Sequence, residues 1–180
     1  SAETFANLAA VLAATGDPNG AIENYRHAVR RRADFVSAWS DLAALLKALG
    51  RYDETEECCR SGLRADAGHA ALHHTLANAL FEQGRVDEAI AEIRTTLAVN
   101  PDDPAAHSEL LFLFNFSATH DPVTVRREYR AWAERHAHPL EIAAPPHGNI
   151  PDPARRLRVG YVSPYFRKHA VTFFLESVIQ

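Results

Sequence analysis

WSDLAALLKALG, residues 39–50, reads as one amphipathic helix with a stop signal at its end. Trp39, Leu42, Ala43, Leu46 and Leu49 recur at helical spacing and line one face. Gly50 offers the left-handed backbone on which a helix ends without a Cβ penalty. Thirty-four residues earlier the chain reads FANLAAVLAATG (5–16), and thirty-four later HHTLANALFEQG (73–84). The register holds column by column: Gly16, Gly50 and Gly84; Leu8, Leu42, Leu76 and Leu110; Leu12, Leu46 and Leu80, continued by Phe114; Ala9, Ala43 and Ala77; Phe5, Trp39, His73 and His107. A fixed period of this length predicts stacked structural repeats.

After each glycine a second amphipathic run follows at once, as in Ala21, Ile22, Tyr25, Ala28 and Val29, so each unit is expected to be an antiparallel helical hairpin. The alanine columns let the two axes approach closely. A single hairpin cannot bury its apolar face, so neighbours stack into a superhelix with a concave side. First-helix positions turned away from the packing face should line that groove: Asn7, Asp41, Thr75 and Asn78, with Lys47 and Phe81. The groove is read as a peptide-binding surface, against the plainer reading of a solvated helix face.

The W-x-x-L-A, A-x-x-x-Y and P columns resemble the tetratricopeptide repeat over about residues 2–103, in three units at 2–35, 36–69 and 70–103. Thr55 replaces the small residue of the second helix in the middle unit. Pro101 closes the third unit as the repeat does, whereas Ala33 and Ala67 stand in the other two places. Residues 104–138 are expected to be capping helices. His107, Leu110, Leu111 and Phe114 begin a fourth unit, Ala118 takes the glycine's place, and Asp121-Pro122 opens a last helix carrying Val125, Tyr129 and Trp132 to about His136.

Residues 139–155 hold Pro139, Pro145, Pro146, Pro151 and Pro153, a density that predicts a linker without helix or strand. From 156 the pattern changes. Leu157 to Ser163 reads as a buried strand, Ser163 to His169 as a loop and Val171 to Gln180 as a helix, the opening of an α/β domain. A loop at the carboxyl end of such a strand, before a helix N-terminus, is where anions bind in open α/β sheets. This one carries Arg167, Lys168 and His169, which can meet a phosphate. Neither a dinucleotide fingerprint nor a P-loop is present.

Residues 156–176, RLRVGYVSPYFRKHAVTFFLE, are similar to the opening of the catalytic domain in the protein O-GlcNAc transferase and SPINDLY family, where it follows a tetratricopeptide array. FANLAAVLAATGDPNGAIENYRHAV (5–29) and SDLAALLKALGRYDETEECCRSGL (40–63) also look like repeats of that transferase. The resemblance implies a mostly α chain: an α-solenoid of hairpins followed by the first β-strand and helix of a GT-B, Rossmann-like domain. It further implies an inverting protein O-glycosyltransferase that moves a sugar from a nucleotide sugar to Ser or Thr of acceptor proteins held by the array, without a metal or other cofactor. UDP-GlcNAc is the expected donor, and SPINDLY relatives use GDP-fucose. The family's loop histidine matches His169, as general base or as a contact to donor and acceptor, although Ala170 stands where the family has proline. Arg167 and Lys168 are expected to contact donor phosphates. The family's groove asparagines match only Asn7, since Asp41, Thr75 and Glu109 occupy the later places. The alternative is a non-catalytic interaction scaffold.

Composition agrees with either. With 180 residues, Lys and Arg total 19 against 23 Asp and Glu, for a net charge of -4 and a pI near 6.2, which leaves no electrostatic footprint for nucleic acid. No apolar run approaches the ~20 residues that cross a bilayer. The two cysteines are neighbours, Cys58 and Cys59, which form neither a CxxC pair nor a disulfide framework and point to a reducing, cytoplasmic setting. Cys59 takes the column place of Tyr25, a packing position. His69 and His73 share one helix face without a third ligand, so no zinc site is expected. Arg30, Arg31 and Arg32 sit at a helix end, where they favour the helix dipole. The absence of methionine and the stop at Gln180 within an apolar pattern suggest part of a longer protein.

Overall fold

The computed structural model describes residues 1–143, all of them helix and connecting turns. Three hairpins come first: α1 (Ala2–Ala14) with α2 (Pro18–Arg31), α3 (Val36–Ala48) with α4 (Tyr52–Ala65), and α5 (Ala70–Glu82) with α6 (Val86–Val99). α7 (Pro104–Phe114) and α8 (Pro122–Trp132) follow, then a π-helical turn (Ala133–Ala137) and the short α9 (His138–Ala143). The periodic apolar faces therefore form the expected solenoid of helix pairs.

The three column glycines have φ of +87°, +70° and +79°. Each turn closes the same way. The amide after the glycine donates back across the helix end, Asp17 to Leu12 O, Arg51 to Leu46 O and Arg85 to Leu80 O, at 2.9, 3.0 and 2.8 Å. Ala9, Ala43 and Ala77 are fully buried, as are Ala21, Thr55 and Ala89 across from them. The threonine is accommodated in the small column with its buried hydroxyl satisfied, donating to Arg51 O at 2.9 Å. Gly62 marks another close approach: a Cβ there would lie 2.6 Å from Leu72 Cδ1 and 2.9 Å from Trp39 Cβ.

Adjacent hairpins interlock by packing and by charge. Leu42, Leu76 and Leu110 are buried, while Leu8 of the same column is 46% exposed because no helix of the described residues precedes α1. Arg85 at the start of α6 reaches back to the buried Glu56 of α4 with 2.7 and 2.8 Å bonds. Burial works to raise the Glu56 carboxyl, but Arg85, Gln83 and Arg60 outweigh it and hold it below the usual carboxylate range.

The fourth pair departs from the period. Its turn has no residue with positive φ. Ser117 and Thr119 instead donate to Asp87 of α6 at 2.6 and 2.9 Å. Asp121 caps α8 and Pro122 sits in its first turn, as read from the sequence. The end is different. The helix expected to stop near His136 continues through the π-helical turn into α9, so residues 139–143, read as the start of the linker, are helical. Pro139 follows the π-helical turn, where the His138 amide already donates to Ala133 O and the regular α-helical ladder is interrupted. The remainder of the expected linker, the strand at 157–163, the loop with Arg167, Lys168 and His169, and the helix at 171–180 lie outside the described residues.

Candidate functional site

The first helices α1, α3, α5 and α7 follow one another along the solenoid. α3 packs on α5, and α5 meets α7 through a stripe of named pairs. His74, Asn78 and Phe81 fall at i, i+4 and i+7 on α5; Glu109, Phe112 and Phe116 answer at i, i+3 and i+7 along α7 and its end. His74 Nε2 lies 2.5 Å from Glu109 Oε2, and Asn78 Nδ2 donates to Glu109 Oε1 at 2.8 Å. The same amide nitrogen donates to His74 O at 2.9 Å, so both donors of Asn78 are engaged. What Asn78 keeps for a ligand is its carbonyl oxygen. The hydrogen bond to Glu109 raises the His74 pKa above the ordinary imidazole value, against the opposing effect of burial.

One turn further the stripe becomes aromatic. Phe81 meets Phe112 and Phe116 edge to face, with ring centres 5.7 and 5.2 Å apart, and Phe112 and Phe116 are 5.0 Å apart. Phe112 is 51% and Phe116 53% exposed. Of the other residues singled out from the sequence, Asn7 is exposed on α1 and Lys47 half-buried on α3. Asp41 is exposed but lies by the buried Tyr25, and partial desolvation on that side raises its carboxyl above the usual range despite the Tyr25 hydroxyl donating to it. Thr75 is buried, at 8% exposure.

Sequence reading missed the His74–Glu109 and Phe81–Phe116 pairs. A signal for them existed, because both join residues 35 apart, one more than the period, and Asn78–Glu109 and Phe81–Phe112 join residues 31 apart, three fewer. Residues of adjacent first helices meet at those offsets.

A cleft of about 650 Å³ lies among α6, α7, α8 and the π-helical turn, lined by Arg94, Leu97, His107, Leu110, Glu128 and Arg135. Two periods earlier, Arg26, Val29, Trp39 and Leu42 line a smaller cleft of about 240 Å³. The histidines at the start of α5 are committed locally: His69 accepts from Leu72 N, and His73 pairs with Glu92 and with Ala67 O. Cys58 and Cys59 are free, buried thiols, and burial pushes Cys59 up to about 12, so neither is a nucleophile at neutral pH. Among the described residues no three of His, Cys, Asp and Glu come together as metal ligands, and no helix is long and apolar enough to cross a membrane.

Family models of the tetratricopeptide repeat match residues 1–33 and 52–110, so the chain carries tetratricopeptide repeats. A comparison with curated proteins finds no match. Among solved structures, a mutant of the Thermobaculum terrenum O-GlcNAc transferase is 32% identical over 99% of this chain, with a TM-score of 0.69. The chain spans 34% of that transferase. MamA from Desulfovibrio magneticus matches at 17% identity, covering 74% of this chain and 75% of its own, with a TM-score of 0.65. The first repeat domain of Spaghetti (RPAP3), bound to the HSP90 peptide SRMEEVD, matches at 16% identity over 63% of this chain and 90% of its own, with a TM-score of 0.61. These last two share the fold.

Proposed function

We propose that this tetratricopeptide array is the acceptor-capturing part of a protein O-glycosyltransferase, whose catalytic domain opens near residue 156. One observation carries the reading. The similarity to the O-GlcNAc transferase runs through 99% of the chain at 32% identity, whereas the two repeat proteins of like fold cover 74% and 63%. A shared solenoid alone accounts for residues 1–143; it does not account for likeness past them.

In this reading the donor is UDP-GlcNAc, bound without a metal, and the protein works in the cytoplasm. His169 accepts the Ser or Thr hydroxyl proton or contacts donor and acceptor, and Arg167 and Lys168 neutralise donor phosphates. Asn7 and Asp41 on the first-helix row contact the acceptor, with Asn78 contributing an oxygen. Thr75, being buried, supports that row from below.

The test is sugar transfer by the complete protein from radiolabelled UDP-GlcNAc to an acceptor protein, compared with His169→Ala. A loss of about 10²-fold or more is expected where a general base is removed. Transfer at the original rate by the variant would remove both roles for that imidazole. A protein with no transfer from UDP-GlcNAc or GDP-fucose would instead be an interaction scaffold. The fold shared with a repeat domain bound to an HSP90 peptide favours that second reading.

A further inference from the structure

The first helices of the described hairpins hold an excess of carboxylates. The first helices carry Glu3, Asp41, Glu82 and Glu109 against Lys47 and no arginine. The second helices are mixed, since Arg26, Arg30 and Arg31 on α2, Arg60 and Arg64 on α4 and Arg94 on α6 stand among a larger number of Asp and Glu. The first-helix row is thus acidic, and while Leu8 and Val11 are exposed on α1, the α5–α7 end carries an aromatic cluster of Phe81, Phe112 and Phe116. Two phenylalanines half in water beside a third are out of place on a solvated face, and such a patch within a polar surround marks a docking point.

We propose that this cluster docks an extended segment of a partner protein in which an aromatic or aliphatic side chain is flanked by lysine or arginine. The proposal rests on the acceptor-capturing reading above and names the acceptor chemistry. The apolar side chain seats on the three rings, whose edge-to-face packing leaves ring faces open to it. Flanking cations meet the exposed Glu82, next to Phe81 in sequence, and can also lie over the exposed ring faces. An acidic partner brings carboxylates against carboxylates. A second copy of this chain docked through the same face does likewise, setting Glu82 against its counterpart.

The experiment measures fluorescence-anisotropy binding of three labelled peptides of equal length to the 180-residue chain: Ser-rich with Lys and Phe, the same with Glu for each Lys, and the same with Ser for each Phe. The Lys–Phe peptide is expected to bind about tenfold tighter than either relative, with an advantage over the Glu peptide that shrinks in salt. In the variant Phe112→Ala/Phe116→Ala the Phe-containing peptide falls to the level of its Ser relative, while the melting temperature holds because both rings are already half exposed. Equal or tighter binding of the Glu peptide overturns the proposal. So does a Phe advantage that survives the double variant, or self-association in sedimentation that the double variant abolishes. Absence of binding by all three, with acceptor transfer by the complete protein intact in the double variant, overturns this surface and leaves the transferase standing. Binding as expected in a protein that transfers no sugar does the reverse.

Discussion

His107 and His136 face one another between α7 and the π-helical turn, Nδ1 to Nε2 at 3.2 Å, with Trp132 packed against the second ring. The pair exists because a repeated bond has been reassigned. Trp39 Nε1 donates to Ala33 O at 2.9 Å, and His73 Nε2 lies 2.9 Å from Ala67 O, the same loop carbonyl one period on. The next carbonyl in that series, Pro101 O, is taken by Arg135 at 2.8 Å. His107, in the column of Trp39 and His73, is left to bond within the cap.

Acidification should loosen that cap. Burial holds His107 below the ordinary imidazole value, helped by His136 and Arg135 and opposed by Glu128; Arg94 and Glu134 line the same cleft. The unfolded chain therefore takes up this proton before the folded one does. Stability from His107 is complete above pH ~6.5 and is lost as pH falls through its folded value. His74 has the opposite sign: its folded value is raised by Glu109, so its contribution is full below pH ~6.5 and is lost as pH rises through the folded value. Melting curves from pH 8 to 5 should show a fall on the acid side that vanishes in His107→Phe and deepens in His74→Gln. An unchanged acid limb in His107→Phe would show that the pair does not govern it.

The third hairpin turn gives a backbone test free of packing. Gly84 has φ +79° and nothing within 4 Å of where a Cβ would be. Gly84→Ala should then cost only the left-handed strain, about 1–2 kcal/mol in urea unfolding. Gly84→Asn should cost less, since Asn tolerates that region. Equal losses would point to a side-chain clash that the geometry does not contain.

Gly62 tests packing instead, because its φ is ordinary while its surroundings are tight. An added Cβ would meet Trp39 Cβ at 2.9 Å, a position fixed by the backbone of α3, and Leu72 Cδ1 at 2.6 Å. Gly62→Ala gains helix propensity, worth about 1 kcal/mol, but overpacking at this site costs about 1–3 kcal/mol. Net destabilisation is expected, seen as a lower urea midpoint. A stabilised variant would mean that α3 and α4 separate with little resistance.

The three hairpins were legible because packing at each column demands one residue type. Gly appears where φ is positive, Ala where two axes meet and Leu where neighbouring units close, and a 34-residue period makes those demands visible without coordinates. Groove chemistry was less legible. The alignment of Asn7, Asp41 and Thr75 by register gave a ladder of equivalent places, but Thr75 is buried whereas Asp41 and Asn7 are exposed. Register fixes which residues are equivalent; the volume of the neighbours decides how far each is covered. The end of the fourth unit was the least legible part. Proline density from 139 argued for a linker, but Pro139 follows a π-helical turn, and no residue pattern announces such a turn.

The fourth turn shows what replaces a glycine. Ser117 and Thr119 donate to Asp87 and so anchor the segment before α8 onto α6 from the side, where the other turns are closed by their own backbone. Those hydrogen bonds, with the nearby His120, hold the Asp87 carboxyl below its usual range. Ser117→Ala/Thr119→Val removes both donors and leaves the α6 sequence intact. Because α8 is otherwise tied to α7 mainly by single bonds, Tyr129 to Leu111 O and Trp132 to Ser108, its amides should exchange with solvent severalfold faster in the double variant. Amides of α3 to α6 should keep their protection, since each of those helices is packed on both sides. If α8 protection is unchanged, its position is set by the cleft-side contacts of Trp132 and Arg135, and the side-chain staple is incidental. If protection falls throughout, the cap is part of one cooperative unit with the repeats it closes.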